Sequence, residues 1–268
     1  MPAQQFEWHP AKLLQDDDNL HEFALLVLNQ PLKNGAILRR LWKNARMRVA
    51  ADGGANRLHE LSSFQGKFAN LQAIIGDLDS VSPSVRDFYS SQPTPAHIIQ
   101  DPDQESADFG KAVAWIRKSG SESESESSDT LDIVALGGIG GRVDQGLSQL
   151  HHLHLFQTGS DYADGRIYLL SESNLTFLLK AGAHTIHVKE DGEDVVFGKY
   201  VGIIPLQGPS RITTKGLQWD VTDWETSMGG KLSTSNHVLP RTKCIEIETT
   251  KDVIFTIALR PLDGEDEA

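Results

Sequence analysis

LQAIIGDLDS, residues 71–80, is the stretch whose reading decides the fold. Residues 71–75 form a mostly apolar run of strand length, interrupted only by Gln72, and Gly76 ends it. Asp77 and Asp79 then stand two apart at the exit of this buried strand. Along extended backbone, side chains two apart point the same way. Two carboxylates aimed into one small volume repel each other unless a cation lies between them. A hard divalent ion such as Mg2+ takes oxygen ligands and completes its shell with phosphate oxygens and water. The pair reads as half of a metal–phosphate site; a solvated acidic turn is the competing reading.

Working outward, strand and helix signals alternate on both sides. Upstream lie a strand at 23–28 closed by Asn29-Gln30-Pro31, a helix at 37–44 and a strand at 47–51. Asp52-Gly53-Gly54 breaks the chain, and a helix starts over 55–61. Downstream, Ser82-Pro83 fits an N-cap with proline at the first helical position. Then come a strand at 97–100, a helix at 108–118, a strand at 131–136, the glycine run 137–141, a helix at 144–156 and a strand at 167–170. This spacing predicts an α/β domain over 22–178, built on a doubly wound, mostly parallel sheet. Beyond about residue 180 only short β-like runs recur, at 185–188, 200–205, 211–214, 244–249 and 253–259. They predict an antiparallel β-sandwich or barrel domain over 179–262. Residues 1–21 read as a flexible N-terminal extension and 263–268 as an acidic tail. The acidic, serine-rich segment 119–128 reads as a disordered loop between helix and strand.

The bulk properties narrow the function. A net charge of -12 over 268 residues argues against a general nucleic-acid binder and against an anionic membrane surface. Part of that charge sits at 16–18 and 263–267. The lone Cys244 permits no internal disulfide, which fits a reducing, cytoplasmic compartment. In that setting the sequon Asn174-Leu175-Thr176 carries no meaning. The N-terminus is polar, and no run approaches membrane-spanning length.

Open α/β sheets bind ligands at the carboxyl ends of their strands. Asn29 and Gln30, the loop with Asp52, Gly53, Gly54, Asn56 and Arg57, the Asp77/Asp79 pair and the run 137–144 would all gather on that rim. Glycine loops let backbone N–H groups approach phosphates, and Arg57 and Arg142 offer charge-assisted contacts. There is no GxxxxGK[ST] motif, and GGIGG misses the GxGxxG spacing, so neither a P-loop nor a nicotinamide cofactor is indicated. In the acidic stretch 101–108, Gln104 and Asp108 are four apart and share a face once a helix has begun. Asp108 is either ordinary charge at a helix N-terminus or a third carboxylate for the metal site. His151, His152 and His154 do not converge as a metal face. Trp219 reads as core of the β domain, although its ring could stack on a cation.

Five motifs occur together and in order: ADGGANR at 51–57, GDLDS at 76–80, DQESADFGKA at 103–112, GGIGGRVDQ at 137–145 and STSN at 233–236. In this combination the chain resembles thiamine pyrophosphokinase, in its fungal form, over roughly residues 22–260. The resemblance implies transfer of pyrophosphate from ATP to the thiamine hydroxyl, with Mg2+ as cofactor. It also implies a β-rich thiamine-binding domain and a homodimer with shared active sites. Carried over position by position, Asp77, Asp79 and Asp108 would hold Mg2+ with Gln104 beside them, and one aspartate would accept the hydroxyl proton. Asn29, Gln30, Asp52, Gly53, Gly54, Asn56, Arg57, Gly137, Gly138, Arg142, Asp144 and Gln145 would hold ATP. Ser233, Ser235 and Asn236 would face thiamine. The terminal extensions and the acidic loop depart from the family pattern but touch none of these motifs. Two alternatives stand beside this reading. Asp77-Leu78-Asp79-Ser80-Val81 also fits the nucleophile motif of haloacid-dehalogenase-like phosphatases, and the chain could be a non-catalytic thiamine or nucleotide sensor.

Overall fold

The computed structural model describes residues 4–15, 22–32, 35–65, 68–121, 130–159, 161–189 and 196–260. The acidic tracts 16–18 and 263–267, and residues 122–128 of the acidic serine segment, lie outside the described residues. In chain order the elements are β1 (Gln5–Trp8), a 3-10 helix (Pro10–Leu14), β2 (Phe23–Val27), α1 (Gly35–Asn44), β3 (Met47–Ala51) and α2 (Gly54–Gln65). There follow β4 (Ala73–Gly76), α3 (Pro83–Ser90), β5 (His97–Gln100), α4 (Asp108–Ser121), β6 (Asp132–Leu136), α5 (Val143–Leu155) and β7 (Ile167–Leu170). The rest are strands: β8 (Asn174–Leu179), β9 (Gly182–His187), β10 (Phe197–Ile204), β11 (Ser210–Lys215), β12 (Trp224–Thr226), β13 (Ser233–His237), β14 (Cys244–Thr249) and β15 (Val253–Leu259). The chain divides into two compact units, Glu22–Glu172 and the two ends together, Met1–His21 with Ser173–Ala268.

In the first unit six strands pair in parallel in the order β7-β6-β2-β3-β4-β5. β2, β4, β6 and β7 are buried at every position, which is why their sequences run apolar without alternation. β5 closes one edge and is partly exposed along its length. Helix α1 turns Ile37, Leu38, Leu41 and Trp42 inward and leaves Arg39 and Lys43 outside, the helical period at work. The chain runs outward from β2 to β5 and then returns to β6 on the other side of β2. The order therefore reverses between β2 and β6, where such sheets form a ligand crevice at their carboxyl ends. Gly54 opens α2 so tightly against β2 that a Cβ would lie 2.2 Å from the Val27 carbonyl oxygen.

The second unit holds two sheets. One, in the order β1-β9-β14-β11-β12, is antiparallel except for the parallel β1–β9 pair. The other, β13-β10-β15-β8, is antiparallel throughout. β9, β11 and β14 alternate buried and open positions, as strands with one covered face do. Trp8 of the first sheet stacks on Phe177 of the second at 4.6 Å, and Phe177 meets Phe255 at 5.1 Å, so these rings fill a sandwich core.

Three expectations change. Part of the supposed N-terminal extension is ordered: Phe6 and Trp8 alternate inward from β1, and Pro10, Leu13 and Leu14 are buried in the turn that follows. The units part at Glu172/Ser173 instead of 178/179, because β8 pairs along its length with β15. Residues 119–121 belong to the end of α4 rather than to a loop.

Candidate active site

Loops leaving β2, β3, β4 and β6, with the start of α4, surround a cleft of ≈ 480 Å³ in the first unit. Of the residues expected to hold phosphate or metal, Asn29, Gln30, Asp52, Gly53, Asp77, Gln104, Asp108, Arg142 and Gln145 line it. Its centre is acidic. Ligand oxygens of Asp52, Asp77 and Asp79 all lie within 4.8 Å of one another. Asp52 takes the place expected for Asp108 in this trio. Asp108 stands beside it, with Oδ1 accepting the Asp77 N–H at 3.3 Å.

Gly76 makes this convergence possible. A Cβ at that position would lie 2.7 Å from Asp52 Cβ and 2.9 Å from Asp108 Oδ1. The turn after it is held locally. Asp79 N–H donates to Asp77 Oδ1 (3.1 Å), Ser80 Oγ to Asp79 Oδ1 (2.8 Å), and Leu78 is left-handed at φ 64°. Asn56 braces the turn from α2, donating to Ser80 O (2.7 Å) and accepting from Ser82 N–H (3.1 Å). Asn56, expected at ATP, is thereby committed to the carboxylate loop. Ser82 caps nothing with its hydroxyl, although Pro83 opens α3 as expected.

The electrostatics split the carboxylates. The Asp79 N–H, then the Gln104 amide and the Lys111 ammonium, hold Asp77 below the usual carboxylate range. Burial, followed by the charges of Asp52 and Asp77, pushes Asp108 upward. Lys111, with its side chain only 3% exposed, sits 3.7 Å from Asp108 Oδ1 and donates to the Asp101 carbonyl at 2.8 Å. Asp52 Oδ1 is buried without a hydrogen-bond partner. Crowded hard oxygens, one of them buried and unsatisfied, are the donor set that suits Mg2+.

The remaining expected residues fare differently. Asp79, Gly54, Asn56, Arg57, Gly137, Gly138 and Asp144 do not line the cleft, although Asp79 stands within the carboxylate trio at its edge. Gly137 and Gly138 both donate their N–H groups to Leu170 O (3.0 and 2.9 Å), so these amides are not turned to a phosphate. Their loop packs on Gln30 instead, and Gly137 and Gly141 adopt positive φ there. Arg57 Nε donates to Asn29 Oδ1 at 3.1 Å. Arg142 grips Asp144 through two bonds, at 3.1 and 2.5 Å, with both side chains exposed. Lys111, Ser80, Asp103, Ser148 and Gln149 line the cleft without having been expected. Lys111 was legible in DQESADFGKA, since it follows Asp108 by three residues on a helix.

In the second unit, β13 carries Ser233, Ser235 and Asn236. Ser235 is exposed and left-handed at φ 57°. Asn236 is buried, donating to Trp219 O (2.9 Å) and accepting from Trp219 N–H (3.2 Å) and His237 N–H (2.8 Å). Its amide thus fixes the Trp219 turn. Trp219, expected in the core, is 54% exposed and lies against His237 with ring centroids 4.9 Å apart.

Comparison with known proteins gives a consistent picture. Residues 38–162 match the family described as thiamin pyrophosphokinase, catalytic domain, and residues 183–254 match thiamin pyrophosphokinase, vitamin B1 binding domain. The chain is 39% identical to thiamine pyrophosphokinase 3 of Oryza sativa subsp. japonica, over 89% of this chain and 87% of the relative. It is 37% identical to thiamine pyrophosphokinase 1 of Arabidopsis thaliana, over 89% and 86%. Among solved structures, thiamin pyrophosphokinase from Candida albicans superposes with a TM-score of 0.79 at 26% identity, covering 97% of this chain and 95% of that one.

Proposed function

The chain belongs to the thiamin pyrophosphokinase family, and we propose that the cleft of its first unit moves pyrophosphate from ATP to the thiamine hydroxyl. The products are thiamine diphosphate and AMP. With the family established, the phosphatase and sensor alternatives fall away. The observation that carries the catalytic assignment is the carboxylate cluster: one ligand oxygen each of Asp52, Asp77 and Asp79 lies within 4.8 Å of the others, and Asp52 also has a buried Oδ1 without a hydrogen-bond partner.

Asp52, Asp77 and Asp79 would hold Mg2+, which supplies neutralising charge to the polyphosphate when bound. The rest of the work falls to this chain's own side chains. Asn29, Gln30, Gly53, Arg142 and Gln145 line the cleft and orient ATP. Arg142 exchanges part of its Asp144 pairing for phosphate oxygen, a charge-assisted contact of the same bidentate kind. Arg57 and Asn56 act one step back, fixing Asn29 and the Asp77–Ser80 turn. In the transfer, the thiamine oxygen bonds to the β-phosphorus while the bond from that phosphorus to the α,β-bridging oxygen breaks, releasing AMP. The half-buried Asp108 carboxylate, with its raised proton affinity, is the group we assign to receive the hydroxyl proton.

Ser233, Ser235 and the exposed Trp219 face are assigned to thiamine, the ring serving as a cation–π platform for the thiazolium. A homodimer with shared sites fits the exposed apolar side chains of both units: Val143, Leu147 and Leu155 on α5, and Tyr200, Met228, Leu232 and Leu239 in the second unit. A cytoplasmic location fits the single cysteine. Among the described residues, no helix is long and apolar enough to cross a membrane. The test is incubation with ATP, Mg2+ and thiamine, with nucleotide products separated by chromatography. AMP and thiamine diphosphate in equal amounts are expected. ADP, or phosphate released without thiamine, would overturn the assignment.

A further inference from the structure

A second cluster of metal-ligating side chains lies in the second unit, and thiamine diphosphate synthesis does not account for it. Glu7 and His9 are two apart on and just past β1, so they share a face of the extended chain. β1 pairs in parallel with β9, with Trp8 opposite Ile186, which brings the next residues, His9 and His187, side by side. Their rings stack at 4.2 Å with planes 14° apart. β9 pairs in turn with β14, placing Cys244 opposite His187. Glu7, His9, His187 and Cys244 therefore occupy one corner of the five-stranded sheet across three neighbouring strands.

We propose that Glu7, His9 and His187 form a binding site for a divalent transition-metal ion, Zn2+ by preference, with Cys244 as the partner that orients His187. One ligand atom from each of the three lies within 4.8 Å of the others. Glu7 Oε1 is 2.7 Å from His187 Nε2 and 3.8 Å from His9 Nε2. Zinc bonds of about 2.0–2.1 Å in a tetrahedron put ligand atoms roughly 3.4 Å apart. The two observed separations bracket that distance, so small side-chain rotations suffice. Cys244 Sγ lies 3.2 Å from His187 Nδ1. In the metal-free chain His187 Nε2 donates to Glu7 Oε1 at 2.7 Å. An entering ion would displace that proton, and an Nδ1–H donated to the sulfur would leave the Nε2 lone pair for the ion, the tautomer that metal-bound histidines use. Two imidazoles and one carboxylate suit Zn2+ and its transition-metal neighbours rather than Mg2+. With Glu7, His9 and His187 side chains 63%, 35% and 22% exposed, the corner is open to solvent, and water can complete the shell. Bound metal would fasten the N-terminal strand to the sheet.

The test uses the full-length protein, stripped with chelator, dialysed, and held in excess Mg2+ so that the carboxylate cleft is occupied. Zn2+ is then titrated by calorimetry, and Co2+ binding is followed by its visible absorption. One Zn2+ per chain, a raised unfolding temperature and a tetrahedral Co2+ spectrum are expected. Glu7→Gln and His9→Ala alter partly exposed side chains, so these variants should fold, which circular dichroism would verify. Each should weaken Zn2+ binding by more than about 100-fold, and Cys244→Ser by about 10–100-fold, the range for outer-shell partners. The proposal is overturned by the absence of saturable binding. It is equally overturned by unchanged affinity in Glu7→Gln and His9→Ala, or by binding that disappears in Asp77→Asn instead.

Discussion

Replacing Gly76 with alanine perturbs the carboxylate cluster without removing a carboxylate. The new Cβ would stand 2.7 Å from Asp52 Cβ and 2.9 Å from Asp108 Oδ1, well inside ordinary contact distance. Asp108 can turn its carboxylate away, but Asp52 cannot move its Cβ without its backbone. That backbone is tied to the neighbouring strand by the bond from Asp52 N–H to Ile75 O at 2.8 Å. Relief therefore requires spreading the ends of β3 and β4. Overpacking of this kind costs about 1–3 kcal/mol, against a gain of about 0.4–1 kcal/mol from a stiffer unfolded chain. A net loss of about 1–2 kcal/mol corresponds to an unfolding temperature lowered by roughly 2–8 °C for a chain of this size. The effect on turnover should be larger, because displacing catalytic groups by about 1 Å costs on the order of 100-fold. Gly120 provides the control: it lies in α4 with nothing near its would-be Cβ, so Gly120→Ala should be neutral or stabilising by about 0.5–1 kcal/mol. Thermal unfolding by circular dichroism and AMP release at saturating substrates read both effects. A Gly76→Ala protein that unfolds and turns over like the parent would show that clearance at Gly76 does not position the carboxylates.

Asp77→Asn or Asp79→Asn should lower turnover by orders of magnitude while leaving the metal-free protein folded, since each removes a carboxylate from the cluster without removing side-chain volume. Near-parental turnover of both variants at saturating Mg2+ would remove them from the metal site. Asp108 binds its proton more tightly in the folded chain than in the unfolded one. Its contribution therefore makes the metal-free protein less stable as pH rises from the ordinary carboxylate range through the raised value. Asp108→Asn should accordingly unfold at a higher temperature than the parent at neutral pH, with the gap closing in acid; equal unfolding temperatures at neutral pH would refute this. Mixing inactive Asp77→Asn chains with inactive Trp219→Ala chains should restore part of the activity after subunit exchange, because one site of each mixed dimer then carries neither lesion. No recovery in verified mixed dimers would mean that each site is built within one chain.

The first unit was legible because its strands are short, mostly apolar runs, most of them closed by Asp, Asn or Gly. β5, β7, β14 and β15 occur over the residues that their sequences predict. The second unit hid several of its strands. β12 is three residues long, and β13, Ser-Thr-Ser-Asn-His, has no apolar alternation at all. Its place is set by pairing with β10 and not by its own pattern. β1 does alternate, with Phe6 and Trp8 inward, but four residues between polar neighbours make a weak signal. Its burial depends on β9, a partner more than 170 residues away.

The site shows the same division between what lies along the chain and what lies across it. Asp77 and Asp79 were readable as a pair because two residues of one segment share a face. Asp52 sits between an apolar strand and two glycines, and alone it looks like part of a phosphate loop. Its membership of the cluster follows from strand order. β3 lies beside β4 with Ala51 opposite Ile75, so Asp52 comes level with Gly76, one residue before Asp77. Side-chain amides mislead for a different reason. Asn56 and Asn236 are polar residues in motifs that carry chemistry, yet each is occupied by backbone that turns sharply. Leu78 has positive φ within the turn braced by Asn56, and Ser235 has positive φ beside Asn236. Such turns expose backbone N–H and C=O groups that no sheet or helix satisfies, and one side-chain amide can serve both kinds at once. Trp219 follows from that bracing. Held by Asn236 in the turn after β11, its ring stays at the surface, where a strand position would have buried it.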